Sequence, residues 1–232
     1  MIKIVVDNRE IQVEKGENLL KTCLLNDIYI PNLCYLDTLE HPPASCRLCF
    51  VEIEGHHQPV PSCQMEVAEN MVAKTDTPAV RRLQRTALEL LLSVHHVDCS
   101  HCPANKKCEL QKIARFLKVG LKPKRLEQFL KDQETMDDHP FLSHHPNRCV
   151  LCGKCIQVCR NAHGAPLMDF ADRGFKTVIR FYGHQTAETV PCDECSACVE
   201  ICPVGAISRV PSSKLGPNIK LGTPTPYHVK DR

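Results

Sequence analysis

The sequence predicts an α+β chain of three small parts and a tail, and three observations carry that prediction. Near the N-terminus, apolar residues alternate at Ile2, Ile4 and Val6 and again at Ile11 and Val13, on either side of Asp7-Asn8; period-two alternation around turn residues reads as a β-hairpin. In the middle, apolar residues recur at helical spacing. In the last third, Cys-x2-Cys-x2-Cys-x3-Cys occurs twice, at 149–159 and at 192–202.

The elements follow in order. Glu17 to Asn26 sets Leu19, Leu20, Cys23 and Leu24 at helical spacing. Phe50 to Ile53 and Met71 to Ala73 read as later strands of the same α+β unit, which ends near residue 75. Pro78 to Ser93 predicts an amphipathic helix with Pro78 in its first turn. Arg81, Arg82 and Arg85 then fall on its solvated face. Lys107 to Val119 predicts a second helix, interrupted by Gly120 and Pro123. Residues 121–143 are polar and read as a linker. Phe175 to Tyr182 reads as a strand between the two cysteine repeats. The tail beyond Arg209 holds four prolines and few large apolar side chains, so it is expected to be extended when alone. The divisions are 1–76, 77–140, 141–209 and 210–232.

Composition excludes several classes. The chain has 232 residues and a formal net charge of +2. It has no apolar run approaching the roughly 20 residues of a membrane span. Its opening residues form a strand pattern rather than a secretion signal, so a cytoplasmic location is expected. Near-neutral charge argues against nucleic acid as a partner. A disulfide framework belongs to small secreted chains, whereas repeated Cys-x-x-Cys in this context points to metal.

Fifteen of the sixteen cysteines fall into four groups, and one histidine completes sixteen candidate ligands. Cys149, Cys152, Cys155 and Cys159 form one repeat; Cys192, Cys195, Cys198 and Cys202 form the other. This spacing belongs to bacterial ferredoxins with two [4Fe–4S] clusters, in which the fourth cysteine of each run serves the other cluster. The ligand sets are then Cys149/Cys152/Cys155/Cys202 and Cys192/Cys195/Cys198/Cys159. Pro203 follows Cys202 as that pattern expects, but Arg160 stands after Cys159. Structural zinc is the alternative, although it requires neither the third nor the fourth cysteine of each run.

Cys34, Cys46, Cys49 and Cys63 keep the central x2 pair of plant-type ferredoxins with different outer gaps. Four thiolates on an α+β unit suit a [2Fe–2S] cluster, with zinc again the alternative. Cys99, Cys102 and Cys108 lack a fourth cysteine, and His95 and His96 both stand within reach in sequence. Imidazole in place of thiolate changes the charge of a cluster site and hence its potential. Cys23 is left over and reads as a small buried residue of its helix. His144, His145 and His184 read as supporting or surface residues.

The segments CYLDTLEHPPASCRLC…C, HHVDCSHCPANKKCELQ, RCVLCGKCIQVC and CDECSACVEICP, in this order, resemble the N-terminal region of the large iron–sulfur subunit of respiratory complex I. In length and content the chain is similar to the diaphorase iron–sulfur subunit of NAD(P)-linked [NiFe] hydrogenases. The resemblance covers roughly residues 1–210. It implies an N-terminal β-grasp ferredoxin-like domain with [2Fe–2S] at Cys34, Cys46, Cys49 and Cys63. It implies a small helical domain with [4Fe–4S] at His95, Cys99, Cys102 and Cys108, and a C-terminal domain with two further [4Fe–4S] clusters. It implies an electron-transfer subunit with no catalytic residue of its own, working beside a flavin subunit that handles NAD(P)H. The sequence carries no Gly-x-Gly-x-x-Gly that would bind the dinucleotide here. The catalytic partner implied is a [NiFe] hydrogenase; a formate dehydrogenase or another complex-I-like or bifurcating oxidoreductase is the alternative, and a zinc-stabilised interaction module the alternative of a different class.

Overall fold

The computed structural model describes residues 1–182, 192 and 194–210. His184 and the tail from 211 onward lie outside the described residues. The chain divides into two compact units: 1–93 with 109–127, and 94–108 with 128 onward. The expected middle part, 77–140, therefore contributes to both.

The first unit is a five-stranded mixed sheet in the order β2-β1-β5-β3-β4. Strands β1 (Ile2–Val6) and β2 (Arg9–Val13) form the expected hairpin. Asp7 and Asn8 both have positive φ, which is what a two-residue type I′ turn demands and what Asp and Asn tolerate. Strand β3 (Phe50–Ile53) pairs with the short β4 (Val60–Pro61) and with β5 (Val72–Lys74). The parallel β1–β5 pair closes the sheet. The Asp7 carboxylate fixes the end of β5 by accepting from the Thr75 N–H and hydroxyl at 2.8 and 2.5 Å.

Helix α1 (Leu19–Leu25) is shorter than the periodicity suggests, because Asn18 caps it by accepting from the Lys21 N–H. Its Leu19, Leu20 and Cys23 join Ile4, Val6, Ile11, Ile30, Val51 and Ile53 in one core. Full burial of each such aliphatic side chain is worth about 1.5–3 kcal/mol. Helix α2 (Pro78–Ser93) spans the expected residues, with the Thr77 hydroxyl accepting from the Val80 N–H. Helix α3 (Glu109–Leu117) buries Leu110, Ile113, Ala114 and Leu117.

Among its described residues the second unit holds two small antiparallel pairs and two α-helices. Strand β6 (Leu142–His144) pairs with β9 (Ile207–Arg209), so the two ends of this region are joined. Strand β7 (Met168–Ala171) pairs with β8 (Val178–Phe181). Helices α4 (Lys154–His163) and α5 (Ala197–Glu200) each begin inside a cysteine repeat.

Two expectations need correction here. The strand expected over 175–182 is only Val178–Phe181, because Gly174–Lys176 makes a 3-10 turn. The end of the expected polar linker is core: Met136, His139, Phe141 and Leu142 are buried, and Met136 and His144 exchange backbone hydrogen bonds. The pairing partner of β6 lies about 65 residues away, which local composition cannot reveal.

Candidate metal centres

In the first unit, Cys34, Cys46, Cys49 and Cys63 are all buried. The loop that carries Cys46 curls through left-handed residues Ala44 and Arg47. Cys34 Sγ lies 3.4 Å from Cys46 Sγ. A hydrogen bond from Cys46 and backbone hydrogen bonds from Cys46 and Ser45 hold the Cys34 thiol down, to about 5. Cys49 is likewise lowered, chiefly by Cys63. Cys46 and Cys63, which share their protons with these two, are pushed up. All four therefore interact, in two close pairs. Cys23 stands apart in the core, fully buried, with its thiol pushed up to about 12 by burial first and by Asp7 second.

In the second unit, a run of tight turns carries Cys99, Cys102 and Cys108. Cys99–His101 is a 3-10 turn that brings the Cys102 N–H to the Cys99 carbonyl at 3.3 Å. Lys106, at positive φ, turns the chain back just before Cys108. His95 is 8 % exposed and its Nδ1 is buried without a hydrogen-bond partner. Burial above all pushes its pKa down to about 4, against a backbone hydrogen bond with Arg148. A neutral imidazole with a free buried nitrogen is the form that ligates metal. His96, by contrast, is exposed.

Cysteine charges act across the two repeats. Cys149 feels Cys152 and Cys202, and Cys155 feels Cys152, Cys149, Cys198 and Cys202. Cys198 feels Cys192, Cys159 and Cys195, and Cys159 feels Cys195. Burial is the first cause of the raised pKa in all four, with Cys149 reaching about 12. Leu151 and Gly153, both at positive φ, bend the first repeat so that α4 starts at Lys154. Backbone N–H groups of Leu151, Leu167 and Ala206 point at the sulfurs of Cys149, Cys159 and Cys202, at 3.4, 3.3 and 3.2 Å. Such donors favour the thiolate and tune a cluster's potential. Among the described residues no set of three or more side chains converges as around a single ion.

Sequence reasoning missed the residues that support these groups. Asn147 and Lys131 exchange reciprocal hydrogen bonds at 2.7 and 2.9 Å, which brings Lys131 near Cys149. Gly205 has φ +65, and a Cβ there would meet the Ala104 Cβ at 2.8 Å. Only glycine lets the chain after Cys202 approach so closely the loop that carries Cys102; Cys102 Sγ is 3.9 Å from the Val204 carbonyl. Gly205 was visible in the sequence, but its neighbour across the fold was not.

Three family models match the chain in succession. Residues 1–78 match a 2Fe-2S iron-sulfur cluster binding domain. Residues 84–121 match the NADH-ubiquinone oxidoreductase-G iron-sulfur binding region. Residues 139–208 match the ferredoxin-like domain of NADH-quinone oxidoreductase subunit 3. NADP-reducing hydrogenase subunit HndD of Solidesulfovibrio fructosivorans is 34% identical over 212 residues, covering 89% of this chain and 36% of that protein. The NADH-ubiquinone oxidoreductase 75 kDa subunit of Reclinomonas americana is 32% identical over 211 residues, covering 91% and 30%. The chain thus spans about a third of the length of these relatives. A chain of the crystal structure of NAD+-reducing [NiFe]-hydrogenase in the H2-reduced state superposes with a TM-score of 0.77 at 25% identity, covering 96% of this chain and 92% of that one. Among the described residues no helix is long and apolar enough to cross a membrane. The chain is thus an iron–sulfur protein of mixed α and β structure that resembles the iron–sulfur subunit of NAD(P)-linked [NiFe] hydrogenase and the N-terminal region of the complex I large iron–sulfur subunit.

Proposed function

We propose that this chain is a four-cluster electron-transfer subunit that connects a flavin-bearing NAD(P)H-oxidoreductase subunit to a hydrogenase catalytic subunit. When bound, the clusters supply one-electron carriage. Cys34, Cys46, Cys49 and Cys63 would hold [2Fe–2S], in a β-grasp domain over residues 1–76. The pairing of Cys34 with Cys46 and of Cys49 with Cys63 suits one pair for each iron. His95, Cys99, Cys102 and Cys108 would hold one [4Fe–4S] in the part 77–140. Cys149/Cys152/Cys155/Cys202 and Cys192/Cys195/Cys198/Cys159 would hold the other two in the part 141–209.

What supports this reading is that the Cys202 charge acts on Cys149 and Cys155 and the Cys159 charge on Cys198, as an exchange of the fourth cysteines between the repeats would have it. Two independent zinc sites have no need of it, whereas a two-cluster ferredoxin does. The hydrogenase partner is favoured over a formate dehydrogenase because the solved hydrogenase chain is matched over nearly its whole length.

Anaerobic reconstitution should load about 14 irons, from one two-iron and three four-iron clusters. Cys202→Ser should abolish the EPR signal of the cluster at 149/152/155 and Cys159→Ser that of the other, each variant keeping at least about 10 irons by the same count. A colourless, zinc-replete protein, or loss of the same cluster in both variants, would overturn the assignment.

A further inference from the structure

Four arginines, three adjacent on one helix and one about 40 residues further along the chain, line one open cavity of about 600 Å³ in the first unit. Arg81, Arg82 and Arg85 come from α2, and Arg125 from the segment after α3. Two of them are neutralised: Arg81 by Asp76 at 2.5 Å and Arg125 by Glu89. Among the described residues Arg82 and Arg85 have no carboxylate partner. Arg85 is held only through Nε, which donates to the Leu117 carbonyl at 3.0 Å, so its terminal nitrogens are left to face outward ligands. Arg81 also donates to Gln84 Oε1 and lies 4.5 Å over the Phe116 ring. These restraints remove rotamer freedom that a ligand would otherwise have to quench.

The positive charge extends beyond the cavity. Helix α2 carries three arginines and one glutamate, and residues 109–127 carry six lysines and arginines against two glutamates. These two packed segments hold a formal +6 in a chain whose total is +2. Two basic runs of the sequence are thus brought together by folding, one on α2 and one on α3 and the segment after it.

We infer that this face binds an acidic segment of a partner protein, whose carboxylates engage Arg82 and Arg85. Guanidinium forks match carboxylates and phosphates alike, but a phosphate site normally adds backbone N–H groups from a helix end. Here Pro78 has no N–H, and the Thr77 hydroxyl is taken by Val80. The spread of charge over α2 and the segment from α3 onward suits an extended acidic segment better than one compact anion. This inference does not rest on the clusters, and iron content reads that question separately.

The test uses the full, iron-loaded chain and a rhodamine-labelled hexaglutamate peptide in fluorescence anisotropy. The unmodified chain should bind it in a salt-sensitive manner, because exposed charges are screened. Arg82→Glu with Arg85→Glu should weaken binding at least tenfold, while Arg9→Glu with Lys15→Glu, the same charge change on exposed residues outside the cavity, should stay within twofold. Iron content and circular dichroism should be unchanged in both. If the double reversal does not fold, Arg82→Gln with Arg85→Gln should still weaken binding at least threefold. Equal loss in the control pair, no binding by the unmodified chain, or displacement of the peptide by pyrophosphate at a concentration below that of free hexaglutamate would overturn the inference.

Discussion

The sulfur of Cys34 lies 3.4 Å from the sulfur of Cys46, close enough for one thiol to donate to the other as thiolate. One shared proton lowers the Cys34 thiol and raises that of Cys46, so a cluster that takes both as thiolates must displace that proton. Cys46→Ser should therefore remove the [2Fe–2S] signal and about two of the roughly 14 irons. The other clusters should persist, because their residues lie in the second unit. Iron analysis with EPR checks both halves of the statement.

His95 should behave unlike His96. His95→Ala should cost about four irons, whereas His96→Ala, at an exposed ring, should cost none. His95→Cys should restore iron and lower one midpoint potential, since thiolate adds a negative charge to the site. EPR-monitored redox titration of the three variants decides the ligand, and loss of iron on replacing His96 would transfer the role to it.

Cys23 should be structural only. Cys23→Ala leaves a small cavity in the core beneath the sheet and should cost about 1–2 kcal/mol in denaturant unfolding with iron content unchanged. Cys23→Ser should cost more, because a hydroxyl would be buried at a fully enclosed position. An iron loss in either variant would make Cys23 a ligand.

His139 predicts a pH dependence. Its Nδ1 accepts from the Phe141 N–H at 3.1 Å, so it is neutral with the proton on Nε2. Burial holds its pKa down, at about 4, and His144 is held down to about 4 by burial first and then by His145 and Lys131. The unfolded chain takes up these protons near the ordinary value of about 6.5. The stabilising contribution is complete above that value and is lost as pH falls from about 6.5 toward 4, by up to about 1.4 kcal/mol per pH unit for each histidine. His139→Asn keeps an acceptor for the Phe141 N–H and cannot titrate. Its melting temperature, measured anaerobically from pH 7.5 to 5.5, should fall less steeply than that of the parent chain.

The cysteine groups stood out by their spacing, because the cysteines proposed to grip one cluster recur at short intervals and the first three of each repeat are local in sequence. Helix α2 and the β1–β2 hairpin were legible for a similar reason, since their period and turn residues act over a few positions. The β6–β9 pairing, the burial of Phe141 and the contact of Gly205 with Ala104 were not, because each depends on residues brought from remote parts of the chain. Local pattern can likewise offer His95 and His96 equally, while only packing decides which ring loses water and keeps a buried nitrogen free. The chain's arginines carry their charge wherever they lie in sequence. Their joint electrostatic field on α2 and beyond α3 exists only once tertiary contacts have set those segments side by side, because a charge interaction depends on distance in space.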